Sequence, residues 1–140
     1  MDHTHATSFV IIYLMLFFQF KHFIVNFLFP YDVPRDTKKP FYDLSALRHS
    51  FFHGAGVAVC IVLALPNMIG FAILAGLFEH VAHHCIDTAE CKIKDISSNK
   101  LAPAHFRIDV DQLLHQLTYI AILVALKWWN LLVLGHTEIG

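Results

Sequence analysis

The sequence predicts an all-α integral membrane protein, a four-helix up-down bundle that forms a single transmembrane domain over residues 1–140. The first observation is composition: of 140 residues, 56% are hydrophobic and 15% are charged, whereas soluble domains contain about 25% charged residues. The second is that the chain contains four long apolar stretches, each of roughly the 20 residues that a helix needs to cross a bilayer core. These predicted helices cover roughly residues 8–29, 44–65, 67–87 and 109–134.

The connections between these stretches contain the helix-breaking residues. The connection 30–43 is rich in proline, and the connection 88–108 contains serine, asparagine and Pro103. Pro66 and Asn67 separate the second and third helices by a turn so short that the two helices must be antiparallel neighbours. We therefore predict two long loops, 30–43 and 88–108, on one side of the membrane.

The distribution of basic residues predicts the orientation. Lys and Arg are concentrated in or beside the loops 30–43 and 88–108, and the N-terminal residues and the Pro66 turn have none. By the positive-inside rule both loops are cytoplasmic and both termini lie outside, in the periplasm if the membrane is a bacterial inner membrane. The net charge of −1 argues against a nucleic-acid partner. The lipid bilayer is the predicted partner, and self-association of the chain is left open.

The polar residues within the predicted helices follow a regular spacing. The chain contains 11 histidines, as many as its Asp and Glu residues together. In each helix, polar residues recur at i and i+4, so they share one face and lie one turn apart. In an up-down bundle all four faces meet at the cytoplasmic end. The residues concerned are His22 and Asn26; His49 and His53; Glu79, His83 and Asp87; Asp111 and His115.

Imidazole and carboxylate groups on facing helices are typical ligands of zinc, manganese and non-haem iron. We therefore predict that these nine residues bind one or two divalent transition-metal ions, with zinc preferred and manganese or iron as alternatives. Gln112 is expected to support the site from outside the ligand shell. A bound metal lowers the pKa of a water to about 7, and Glu79 or Asp111 would accept the proton. A polar network that only fixes helix packing is the alternative.

The depth of this cluster suits a hydrolase that acts on a lipid head group or a lipid-linked phosphate, although nothing in the sequence selects the substrate. The remaining six histidines are predicted to be solvated, interfacial or supporting. Gly54 and Gly76, with the alanines near them, predict close helix packing. The phenylalanine-rich first helix is expected to face lipid. The remaining histidines are His3, His5, His80, His84, His105 and His136.

Several of these motifs together resemble a known family. In order, they are Phe18-Gln19-Phe20-Lys21-His22-Phe23-Ile24, His49-x-x-x-His53, His83-x-x-x-Asp87 and Asp111-Gln112-x-x-His115. They resemble the uncharacterised bacterial and phage membrane proteins grouped as domain of unknown function 3307, over roughly residues 14–122.

The resemblance implies kinship with small inner-membrane proteins described as metal-dependent hydrolases. It implies that the family's polar positions fall on the predicted ligands and on Gln112. The chain departs from the family pattern at Asn26 and Glu79, where the family tends to have Asp, and at the Phe29-Pro30 region, where the first motif tends to end in Gln. Since Asn is a weaker and neutral ligand, the first departure predicts weaker metal binding here.

Two other classes of function fit parts of the sequence. His80-x-x-His83-His84 and His49-x-x-x-His53 match two of the histidine boxes of di-iron lipid oxygenases, but a third box is missing. A protein that is not an enzyme is the other alternative. It would be a metal or proton carrier, a b-type haem protein, or an accessory membrane protein that binds a partner through its basic loops.

Overall fold

The computed structural model describes residues 3–30, 42–96 and 104–134, and it describes side chains for 9–30, 42–93 and 110–129. Within these residues the chain forms four α-helices and no strand, so the all-α prediction is confirmed. The helices are α1 (His3–Leu28), α2 (Leu44–Ala64), α3 (Ile69–Ile96) and α4 (Ala104–Leu134). The rest of the predicted loops lies outside the described residues.

Three of the four described helices, α1, α3 and α4, are longer than the apolar stretches that predicted them. α3 continues to Ile96, past the predicted end at residue 87, and α4 begins at Ala104 rather than near 109. The sequence between 88 and 102 contains no Gly or Pro to end a helix. Thr88 and Cys91 are buried, so packing also continues beyond the apolar stretch. The polar residues there therefore belong to helix and not to the predicted loop.

The ends of α2 have clear local causes. The Asp43 carboxylate accepts hydrogen bonds from the backbone N–H groups of Ser45 and Ala46, at 2.9 and 3.1 Å, which caps the helix N-terminus. At the other end a single 3₁₀ turn, Pro66–Met68, leads directly into α3. This short turn makes α2 and α3 adjacent antiparallel helices, as the sequence predicts.

Each helix contacts the next along the chain, and α1 and α4 close the ring. The α2–α3 contact is the most extensive, and glycines make it close. A Cβ atom built on Gly76 would lie 2.8 Å from the carbonyl oxygen of Gly54, and one built on Gly54 would lie 2.9 Å from the Cβ of His80. Only glycine permits this approach of the two backbones, so the predicted close packing is confirmed.

The interior of the bundle has an apolar half and a polar half. The apolar half packs the early residues of α1 and α3 against the late residues of α2 and α4, as expected for antiparallel neighbours. This leaves the other end of the bundle for the polar side chains. The apolar core consists of Leu14, Phe18, Val57, Ile61, Phe71, Ala72, Ala75, Tyr119, Ile122, Leu123 and Leu126.

The outer surface of the bundle is apolar. On α1, Phe20, Phe23 and Phe27 are 64%, 65% and 75% exposed, as expected for side chains that face lipid. Three described stretches are long and apolar enough to cross a membrane: Phe9–Leu28, Leu44–Ala64 and Pro66–Ile93. These helices indicate a membrane protein. The crossing of α4 and the up-down order of four spans stay predictions.

Candidate metal centre

The structure brings most of the predicted site residues together at the polar end of the bundle. Asp111 is half-buried and Asn26 is exposed. Gln112 is exposed and donates a hydrogen bond to the Asp111 carboxylate at 3.2 Å. The buried members are His22, His49, His53, Glu79, His83, Asp87 and His115.

Four imidazole rings, one from each helix, form the centre of this cluster. The His83 ring stacks on His53 at 3.7 Å between centroids, and on His115 at 4.0 Å. The His22 ring lies 4.9 Å from His53 and 5.5 Å from His115. The polar residues that share the i, i+4 spacing in four separate helices therefore contribute side chains to one cluster.

The Asp87 carboxylate lies close to histidine side chains from three of these helices, α2, α3 and α4. Its Oδ1 lies 3.3 Å from Nε2 of His115, and its Oδ2 lies 3.6 Å from Nε2 of His83 and 4.0 Å from Nε2 of His49. Asp111 Oδ1 lies 3.4 Å from the same His115 nitrogen. Three imidazole nitrogens thus point at one carboxylate, and they need either protons or a shared cation between them.

Two groups of three side chains have ligand atoms within 4.8 Å of one another: His49, His53 and His83, and His83, Asp87 and His115. Several polar atoms of this cluster are buried and make no hydrogen bond, including Asp87 Oδ2, Asp111 Oδ1 and His22 Nε2. Buried polar atoms of this kind normally have partners. The donor set therefore fits a transition metal bound by nitrogen and oxygen atoms.

The ring of His49 is already oriented as a metal ligand should be. Its Nδ1 lies 2.6 Å from the carbonyl oxygen of Phe29. A carbonyl only accepts, so Nδ1 carries the proton, and the Nε2 lone pair points toward Asp87. Metal-binding histidines typically donate their other ring N–H to a carbonyl or carboxylate in this way.

The carboxylate of Glu79 lies beside Nδ1 of the His83 ring. Nδ1 of His83 lies 3.4 Å from Oε1 of Glu79, while its Nε2 points to Asp87. This order of carboxylate, imidazole and metal position is common in metal sites, where the carboxylate holds the ring and raises its basicity. Glu79 is fully buried. Its position therefore fits an orienting role better than that of a ligand.

His53 differs because both of its ring nitrogens have partners. Nδ1 lies 3.1 Å from the Nζ of Lys21, and Nε2 lies 3.1 Å from the Oδ1 of Asn26. His53 can therefore bind a metal only if one of these partners moves. The group His83, Asp87 and His115 requires no such exchange.

Sequence reasoning missed three residues of the cluster. Lys21 is buried and contacts both His53 and Glu79. Thr118 donates a hydrogen bond to the other Glu79 oxygen at 3.0 Å, and the Tyr119 hydroxyl lies 2.8 Å from Nδ1 of His22. A signal for Lys21 was present, because it is the only charged residue between 9 and 28. An ionisable side chain inside an apolar span is rarely placed there without a role.

A cavity of about 200 Å³ opens from the centre at this end of the bundle. It is large enough to admit water or a small phosphate-sized group, and Pro30 and Gln112 line its outer part. The full lining is His22, Asn26, Pro30, His49, His83, Asp87, Glu90, Asp111, Gln112 and His115.

A second cavity, of about 490 Å³, lies on the outer face of α2 and α3 and is lined by Leu44, Ser45, Leu47, Arg48, Phe51 and His80. The ring of His80 contacts Phe51, at 6.2 Å between centroids. Of the described residues, neither three-membered metal group contains His80 or His84.

No family model, curated protein or solved structure matches the chain. The fold and the site define a helical protein with three helices apolar enough to span a membrane. A buried His and Asp cluster that could bind a metal lies at one end of its bundle.

Proposed function

We propose that the protein is a membrane metalloprotein that binds a divalent transition metal through His49, His83, Asp87 and His115, with Asp111 beside it. The observation that carries this proposal is the approach of three imidazole Nε2 atoms to the one Asp87 carboxylate, at 3.3 to 4.0 Å. A metal would draw these four groups closer together, because zinc–nitrogen bonds are about 2.0–2.1 Å long.

Zinc is the proposed metal, with manganese and iron as alternatives. The candidate ligands are imidazole and carboxylate groups, which all three metals accept. Neither described group of candidate ligands contains a cysteine, so the proposal uses no thiolate. One ion fits the group of His83, Asp87 and His115, whereas a second would require His53 to exchange a partner.

Metal analysis of the full chain, purified in detergent, tests the metal centre. The wild-type protein should contain about one zinc per chain after dialysis against excess metal. Asp87→Asn should lower metal affinity by at least about 100-fold, since losses of 10–100-fold follow even from changes outside the ligand shell. Cys85→Ser, on the exposed side of the same helix, is the matched control and should bind like the wild type. A wild-type protein without stoichiometric metal would contradict the proposal.

The activity we propose is hydrolysis of a lipid or a lipid-linked phosphate at the cytoplasmic surface of a bacterial inner membrane. The resemblance to the domain of unknown function 3307 supports a hydrolase. The second cavity, called the groove below, favours a lipid, because Arg48 could pair with a phosphate while Leu44, Leu47 and Phe51 could contact an acyl chain. The metal would supply an activated water, and the chain must supply a proton acceptor.

Asp111 is the better candidate for that proton acceptor. It is half-buried and lines the cavity, so a water can reach it. Glu79 is fully buried and does not line the cavity, and its oxygens lie within 3.4 Å of Lys21, His83 and Thr118. We therefore assign the proton transfer to Asp111 and the orientation of His83 to Glu79.

Hydrolysis of phospholipids and polyprenyl phosphates in mixed micelles, measured as release of inorganic phosphate or of a head group, tests the activity. Asp111→Asn should lower kcat by about 100-fold or more, the usual contribution of a positioned general base, while zinc stays bound. Arg48→Gln should raise KM, whereas Lys92→Gln should not. Lys92 is an exposed residue on α3 outside the groove. Zinc-loaded wild-type protein that hydrolyses none of these lipids would refute the hydrolase proposal.

The packing of the bundle favours this proposal over a carrier. The polar cluster ends against the apolar core around Leu14, Phe18 and Ile61, which are fully buried. Transporter sites instead lie near the bilayer midplane, with access from both sides. If the zinc-loaded protein hydrolyses none of the lipids, the remaining alternative is an accessory protein that binds a metal without catalysing a reaction.

A further inference from the structure

Lys21 is the charged residue of α1 that the proposed metal centre does not use. Its side chain is 8% exposed, and it projects into the bundle from the helix that also carries His22. A buried ammonium group is costly inside a membrane unless its donors are all satisfied. The groups that contact its Nζ atom are therefore expected to accept its hydrogen bonds and to neutralise its charge.

The ammonium group has three acceptors, one for each of its donors. Nζ lies 3.1 Å from Nδ1 of His53, 3.0 Å from the main-chain oxygen of His53 and 3.4 Å from Oε1 of Glu79. The second Glu79 oxygen accepts from the Thr118 hydroxyl at 3.0 Å. We call these four residues, Lys21, His53, Glu79 and Thr118, the lysine network.

These acceptors are also the ligands that a divalent metal prefers. An imidazole nitrogen, a carboxylate and a carbonyl oxygen surround the Nζ atom, as they would surround a bound ion. The fully buried Glu79 carboxylate needs a positive partner, and here Lys21 supplies it from the chain itself.

The tautomer of His53 follows from this arrangement. Because Lys21 donates to Nδ1, the ring proton is on Nε2, which then donates to Oδ1 of Asn26 at 3.1 Å. His53 therefore offers no lone pair to a metal, although it is close enough to His49 and His83 to form a three-histidine group.

We infer that the Lys21 ammonium occupies a second metal position and thereby limits the centre to one metal ion per chain. Removal of the ammonium group would leave the Glu79 carboxylate and Nδ1 of His53 without a cation. A second divalent metal would then bind there. The inference rests on the proposed metal centre for the first ion, and it adds the number of ions and the residue that sets it.

Titration of the metal-free full chain with Co²⁺ tests the inference, with calorimetry for stoichiometry and visible absorption for the ligand set. The wild type should bind one ion. Lys21→Leu should bind two, with a second set of cobalt bands, and Lys21→Arg, which keeps the charge, should bind one. Adding Glu79→Gln to Lys21→Leu should return the stoichiometry to one.

A Lys21→Leu protein that elutes as a single species and still binds one ion overturns the inference and leaves the metal centre standing. A wild-type protein that binds two ions also overturns it. If no variant and no wild-type protein binds cobalt, both proposals fail. If Lys21→Leu does not fold, Lys21→Gln removes the charge in a side chain that keeps polar groups, and the same outcomes apply.

Discussion

At the residue scale, the spacing of polar side chains identified most of the centre, whereas isolated contributors were missed. His83 and Asp87 are recognisable because they repeat one turn apart. Lys21 has no polar residue four positions away in its own helix, and Tyr119, although it lies four residues after His115, has the aromatic ring of an ordinary core residue. Their roles depend on how the helices are rotated against each other, and a single sequence does not contain that information.

Tyr119 shows what such a residue contributes. Its hydroxyl lies 2.8 Å from Nδ1 of His22, and its ring packs against Phe18, at 5.4 Å between centroids. Tyr119→Phe keeps the ring and removes the hydroxyl, which leaves a buried imidazole nitrogen without its partner. We expect the free energy of unfolding to fall by about 1 kcal/mol.

Unfolding by SDS in mixed micelles measures this change. Tyr13→Phe is the control, because Tyr13 is 56% exposed and loses no described contact to the cluster. Equal losses in the two variants would show that the hydroxyl bonded to His22 has no special effect.

At the element scale, the apolar stretches predicted all four helices and both ends of α2, but not the start of α1, the end of α3 or the start of α4. Polarity marks where a chain leaves the bilayer, whereas a helix continues until its backbone hydrogen bonds are interrupted. α3 therefore extends through polar residues to Ile96. The turn between α2 and α3 was predicted well, since Pro66 both ends one helix and begins the next turn.

The α2–α3 crossing provides a test at this scale. Gly54→Ala places a Cβ within contact distance of the Gly76 backbone and 2.9 Å from the Cβ of His80. Overpacking of this kind costs about 1–3 kcal/mol, because two backbones cannot yield as a flexible side chain can. SDS unfolding should show this loss of stability.

Gly70→Ala is the matched control on α3. A Cβ at Gly70 would meet no atom within 4 Å. Since alanine favours a helix over glycine by about 0.8–1.0 kcal/mol, this variant should be as stable as the wild type or slightly more stable. A Gly54→Ala protein as stable as Gly70→Ala would contradict the close approach of the two helices.

At the scale of the whole molecule, composition predicted a membrane protein, and three described apolar stretches agree with it. The orientation depends on basic residues in the connections, which lie mostly outside the described residues. The side of the membrane on which the polar cluster lies is tested with the chain in a membrane.

Reporter fusions in a bacterial host provide that experiment. If the positive-inside rule applies, alkaline phosphatase fused after residue 140 should be active, and green fluorescent protein fused there should be dark. Fusions after residue 100 should give the opposite result. Fluorescence from the fusion after residue 140 would place the C-terminus in the cytoplasm and contradict the predicted topology.

The hydrogen bond between the ring of His49 and the carbonyl of Phe29 links the end of α1 to the metal position. Phe29 also stacks on Phe52 of α2, at 3.9 Å between centroids. A metal that requires the Nε2 lone pair of His49 favours the proton on Nδ1, and so strengthens the bond to this carbonyl. If His49 binds the proposed metal, metal binding and the anchoring of the last turn of α1 are thermodynamically linked, and each stabilises the other to the same extent.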